Sequence, residues 1–140
     1  MSLLDDVSIV VTPNGYKAGE LYAVIPVPTE GAEQVVNGDF ATDSDWVKGT
    51  GWTISGGSAN SDGANSFSSL SQASVLTIGK RYKLIVDINL TSGQLRIQEG
   101  GAILETYTTT GANTATYYFI ATATNITFKT SVTPFNGSID

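Results

Sequence analysis

Residues 82–90 constrain this chain more than any other stretch. Tyr82, Leu84, Val86, Ile88 and Leu90 fall on one side of a two-residue period. Lys83, Asp87 and Asn89 fall on the other, with Ile85 as the apolar exception. Successive side chains of a strand point to opposite faces, so the alternation reads as a strand with one buried and one wet face. Leu95 and Ile97 against Arg96 and Gln98 repeat the pattern, and Ser92-Gly93 between the two runs reads as a hairpin turn. No stretch carries apolar residues at helical spacing for long enough to predict a long helix. Further β-prone runs cover residues 35–40, 52–55, 67–70, 104–108, 115–121 and 126–131. Turn signals punctuate them at Gly56-Gly57, Gly100-Gly101, Gly111-Ala112-Asn113 and Asn136-Gly137. Short strands at such spacing predict an all-β fold, an antiparallel β-sandwich of the jelly-roll kind.

Composition agrees with one small domain. The chain has 140 residues, 41% of them hydrophobic, so a core is within reach. Only 14% are charged, and Ser, Thr, Asn and Gly take up the difference, which suits neutral polar strand faces and tight turns. The formal net charge of −6 and the scatter of seven basic residues argue against nucleic acid as a partner, since binding it demands a basic footprint. Lys80, Arg81 and Lys83 read as the solvated opening of a strand. There is no Cys, which excludes disulfides and thiolate metal sites, and no His, which removes the commonest general base and zinc ligand. The longest apolar stretch, residues 21–27, is interrupted by Pro26, far short of the roughly 20 apolar residues that span a bilayer. The opening MSLLDDVSIVV lacks a positive start and carries Asp5 and Asp6, so it does not read as a secretion signal and synthesis in a cytoplasm is expected.

Residues 1–33 differ from residues 34–140. Residues 7–11 and 20–27 are β-prone, Pro13-Asn14-Gly15 reads as a turn, and Pro26 and Pro28 confine the second run to an edge or to irregular extended structure. The apolar side chains of Val7, Ile9, Val11, Leu21, Tyr22, Val24 and Ile25 need cover. Two readings stand: extra strands folded onto the domain, or an extended N-terminal arm that pairs with a neighbouring subunit by strand addition. Residues 29–34 read as a linker to the sandwich domain at 34–140.

Candidate chemistry is sparse. Asp43 and Asp45 share a loop, Glu99 and Glu105 flank a hairpin turn, and each reads as solvated charge, with nothing to mark the paired carboxylates of a glycosidase. No catalytic residue and no cofactor motif is found, because the glycine doublets lack the helix and Lys of a phosphate cradle. Trp46 and Trp52 bracket a short loop and read either as a sugar-stacking platform or as core fillers. Tyr107, Tyr117 and Tyr118 join them as candidate glycan contacts, and one ring of the Tyr117-Tyr118 pair must point outward. Asp39 and Asp140, placed near the first and last strands, are either surface acids or part of a structural calcium site.

Two segments resemble known families. Asn37-Gly38-Asp39-Phe40, Trp46, Gly51-Trp52-Thr53-Ile54, residues 76–82 (LTIGKRY) and Phe135-Asn136-Gly137-Ser138-Ile139-Asp140 follow one another as in jelly-roll carbohydrate-binding modules of the family 4, 9 and 22 type. That family usually continues a last strand beyond its final Asp. Its closing strand is therefore expected here to be short, absent or supplied by another chain. Residues 8–26, including Tyr16, resemble the N-terminus of tailed-phage virion proteins, especially of phages infecting Bacteroidetes. That likeness implies a non-catalytic virion protein, a capsid decoration or head-fibre subunit docked on other virion proteins through Val7, Ile9, Val11, Tyr16, Leu21, Tyr22, Val24 and Ile25, assembled as a homo-oligomer, most simply a trimer, and placed on the virion surface. The alternative is an adhesion module of a phage tail or fibre that binds a cell-surface glycan.

Overall fold

The computed structural model describes residues 30–140 and the backbone of two short strands before them. Those two, β1 (Pro13–Lys17) and β2 (Glu20–Ala23), pair antiparallel, with Tyr16 opposite Leu21 and Gly15 opposite Tyr22, and a bulge after Pro13. Pro13-Asn14-Gly15 therefore belongs to a strand rather than a turn. Pro at the first position of a strand loses no ladder bond that matters, and the bulge takes up Asn14, which has no partner on β2, while Gly15 stays in register with Tyr22. Val7, Ile9, Val11, Val24 and Ile25 lie outside the described residues. The chain divides into two compact units after Ala32.

The second unit is an antiparallel β-sandwich. One sheet has the order β10-β7-β12-β5-β4, the other β3-β6-β11-β8-β9. The strands are β3 (Val47–Lys48), β4 (Trp52–Ile54), β5 (Ala59–Asp62), β6 (Ser69–Gln72), β7 (Arg81–Ser92), β8 (Leu95–Glu99), β9 (Ala102–Tyr107), β10 (Gly111–Ile120), β11 (Ile126–Thr130) and β12 (Asn136–Ile139). The alternation in β7 is realised as read: Val86, Ile88 and Leu90 are buried, and Ile85 stands on the exposed side with Lys83, Asp87 and Asn89. Between the sheets, Leu70, Ile88, Leu90, Leu95, Ile97, Ile126, Phe135 and Ile139 are sealed from solvent. Each such burial is worth about 1.5–3 kcal/mol relative to exposure.

The hairpin turns at Gly56-Gly57 and Gly100-Gly101 join β4 to β5 and β8 to β9. Both residues of each pair have positive φ, which matches the twist of the flanking strands. Ser92-Gly93 is different, because it carries the chain from one sheet to the other. Gly93 has a φ of 84°, and a Cβ there would sit 1.8 Å from the carbonyl oxygen of Pro134. Another sheet-to-sheet crossing, the one after β11, runs alongside, and the Gln94 N–H donates to the Thr133 carbonyl at 3.0 Å. The bare backbone at position 93 lets the two crossings touch.

Other expectations are corrected. Residues 35–40 form a turn and not a strand; Asn37 and Phe40 take positive φ. The Asn37 side chain ties the loop by donating to the carbonyls of Thr42 (2.8 Å) and Ser44 (3.1 Å). Gly111-Ala112-Asn113 opens β10, and Asn136-Gly137 opens β12. The closing strand is short, as one of the three alternatives had it, at four residues, and it is central: β12 lies between β5 and β7 and bonds to both.

Candidate functional site

The predicted aromatic platform does not form. Trp52, on β4, is 4% exposed and stacks on Phe135 with ring centroids 5.8 Å apart. Trp46 is 8% exposed and packs between Phe40 (5.2 Å) and Phe128 (6.0 Å), while its Nε1 donates to the Asn37 carbonyl at 3.1 Å. Core packing claims both indoles, so neither presents a face to a sugar. Tyr107 and Tyr117 are half-buried and pack against the core from β9 and β10. Burial raises the Tyr117 phenol above its ordinary pKa, and the nearby Glu105 carboxylate and Tyr107 add to the shift. Tyr118 points the other way and is 76% exposed, beside a shallow depression with Arg81 and Ile120. Tyr107 and Tyr117 are thus neighbours, while Trp46, Trp52 and Tyr118 fall in separate surroundings.

Each acidic candidate has local backbone partners. Asp39 Oδ1 accepts the Ala41 N–H at 3.3 Å, and Asp140 extends the β12 ladder by exchanging backbone bonds with Asp87 (2.6 and 2.9 Å). Among the described residues no group of three or more acidic side chains gathers to hold a metal ion. Glu99, read as solvated, is buried at 2% exposure. It accepts the Thr122 N–H (2.6 Å), the Thr122 hydroxyl (2.9 Å) and the Ala123 N–H, so it is a bracket for the loop before β11.

The arrangement that sequence reading missed is the outer face of the β3-β6-β11-β8-β9 sheet. Register places Val47, Ser71, Thr127, Gln98 and Ile103 in one row across all five strands, because their neighbours Leu70, Phe128 and Ile97 point into the core. The next row is Ser69, Lys129, Arg96 and Thr106. Val47 and Ile103 at the ends of the first row are 70% and 52% exposed. Ser71 and Thr127 are half-buried and Gln98 is 8% exposed. Exposed apolar residues on the two edge strands thus flank a polar, more buried central band, the trough.

Its electrostatics are unusual for so acidic a chain. Lys129 and Arg96 are direct cross-strand partners, an arrangement that costs stability when charges are alike. Neither side chain makes an ion pair or hydrogen bond among the described residues, where Lys48–Asp43 is the salt bridge that forms. The Arg96 Nε is sealed without an acceptor, while the rest of its guanidinium is not. Arg96 was read from sequence as outward. Its alignment with Lys129, Ser71 and Thr127 comes from long-range register, which no local pattern reveals.

No protein-family model matches the chain, and no curated protein is similar to it. Solved structures that resemble it include a family 29 carbohydrate-binding module, at 16% identity and TM-score 0.44 over 68% of this chain and 77% of that one. A family 35 module of Paenibacillus barcinonensis resembles it at 20% identity and TM-score 0.40, over 71% and 89%. These likenesses are loose.

Proposed function

We propose that the second unit is a non-catalytic saccharide-binding module and that the trough is its binding face. The observation that carries this reading is the pair Arg96 and Lys129, unopposed by any carboxylate in the two rows and flanked by the hydroxyls of Ser69, Ser71, Thr106 and Thr127. Charged donors and hydroxyls on a rigid sheet suit the oxygen-rich edges of a sugar, and apolar rims suit its carbon faces. Without an aromatic platform, binding rests on hydrogen bonds, and an acidic sugar that meets both cations is favoured over a neutral one. Titration calorimetry of the full chain against a panel of neutral and uronate-bearing oligosaccharides tests this. Arg96→Ala and Lys129→Ala are expected to weaken binding tenfold or more at unchanged melting temperature, in line with about 1.5–3 kcal/mol for a hydrogen bond to a charged group. Binding that survives both substitutions removes the trough from the reading.

A second reading has one observation in its favour, the separation of the first unit, which holds a strand pair, from the sandwich. In it, the first unit docks the protein on a larger particle, as the likeness of residues 8–26 to virion proteins implies, and the sandwich is what the particle displays.

A further inference from the structure

The sandwich has four free strand edges, and three are protected. β3 is two residues long and carries Lys48, paired with Asp43; β4 is three residues long; β9 carries Glu105 and faces a bulge in its pairing with β8. Short strands, charges and bulges are the devices that keep sheet edges from pairing with other chains. β10 has none of them. It runs ten residues, Gly111–Ile120, in unbroken register with β7 and contains no charged residue and no proline. Its outer edge has no strand partner among the described residues. Tyr118 and Ile120 lie on its exposed face, with Ile85 on the neighbouring strand, and all three are more than half exposed.

We propose that this edge pairs antiparallel with the β10 edge of a second copy of the chain, which joins two five-stranded sheets into one of ten. A second copy is the occupant that fits, because the edge is complementary to itself. A two-fold axis near Ala115 and Thr116 lays Tyr118 of each copy over the Ala112 to Thr114 region of the other and brings no charge onto a like charge. The backbone donors and acceptors along ten residues then find partners, as buried or edge peptide groups require. Such pairing closes on itself and yields a dimer rather than the trimer expected from the sequence. The axis is perpendicular to the sheet, so both sandwiches present the same face to the same side. Where the trough binds saccharide, a consequence that rests on the reading above, two sites open together and gain avidity on a polymeric ligand.

Sedimentation velocity of the full chain across a concentration series tests the pairing without any saccharide. Thr116→Lys and Thr116→Glu each place like charges on either side of the axis at an exposed position. The wild type is expected to sediment as a dimer, each variant as a folded monomer with unchanged far-ultraviolet dichroism, and an equimolar mixture of the two variants as a heterodimer. A wild type that stays monomeric at high micromolar concentration overturns the proposal, as does a dimer indifferent to both substitutions. Failure of saccharide binding leaves this result untouched.

Discussion

Glu99 shows how little a residue's type says about its task. At the end of β8, before a glycine turn, it looks like surface charge, yet its carboxylate closes over the N–H groups of Thr122 and Ala123. Its removal takes the acceptor from two part-buried donors and leaves a gap at a buried site. Glu99→Ala is expected to cost about 3 kcal/mol, given 1–3 kcal/mol for an unsatisfied buried polar group, read as a drop in the urea midpoint; Glu99→Gln, which keeps one acceptor, costs less. Tyr117 makes a second prediction, with its sign fixed by linkage. Its phenol is raised in the folded state, first by burial and then by Glu105 and Tyr107. Below the unfolded-state pKa near 10 the stability is fully present. As pH rises beyond that, the unfolded chain gives up its proton first and stability falls. Tyr117→Phe is therefore expected to flatten the alkaline limb of a melting-temperature profile and to leave the neutral region unchanged in slope.

At the scale of elements, legibility followed burial asymmetry. β7 and β8 were readable because their apolar side chains sit at every second position, which period-two patterning records directly. β5 (ANSD) and β12 (NGSI) were not, because their residues have low strand propensity and their existence is decided by neighbours: each is bonded on two sides. Asn136-Gly137 has the composition of a turn, but Gly137 is there because a Cβ would meet the Asn89 carbonyl oxygen at 2.1 Å. Ser92-Gly93 failed as a hairpin for a similar reason. The glycine serves the contact with Pro134, a distant segment that spacing along the chain does not expose. The trough was illegible throughout. Its residues are ordinary Ser, Thr, Gln, Arg and Lys, and only register gathers them.

For the whole molecule, the sandwich has its own core, and the boundary after Ala32 falls in a polar stretch. Removal of residues 1–32 is expected to leave a cooperatively folding domain whose saccharide affinity matches that of the full chain. In the docking reading, particle association is lost at the same time, which a pull-down on purified particles measures. A truncated chain that fails to fold cooperatively contradicts the independence of the second unit.

The position of β12 has a kinetic consequence. The pair β4–β5 is a local hairpin and β7–β10 closes over the intervening β8 and β9, but nothing joins the two pairs until Asn136–Ile139 slots between Ser61 and Leu90 and their neighbours. The seam of this sheet is therefore closed by its most distant strand, and loop closure over that span is slow. Folding is expected to end with this keystone, so that substitutions in β12 speed unfolding more than they slow folding in stopped-flow kinetics. Until the keystone arrives, the half-built sheet exposes two raw inner edges, one on β5 and one on β7, to whatever strand is near.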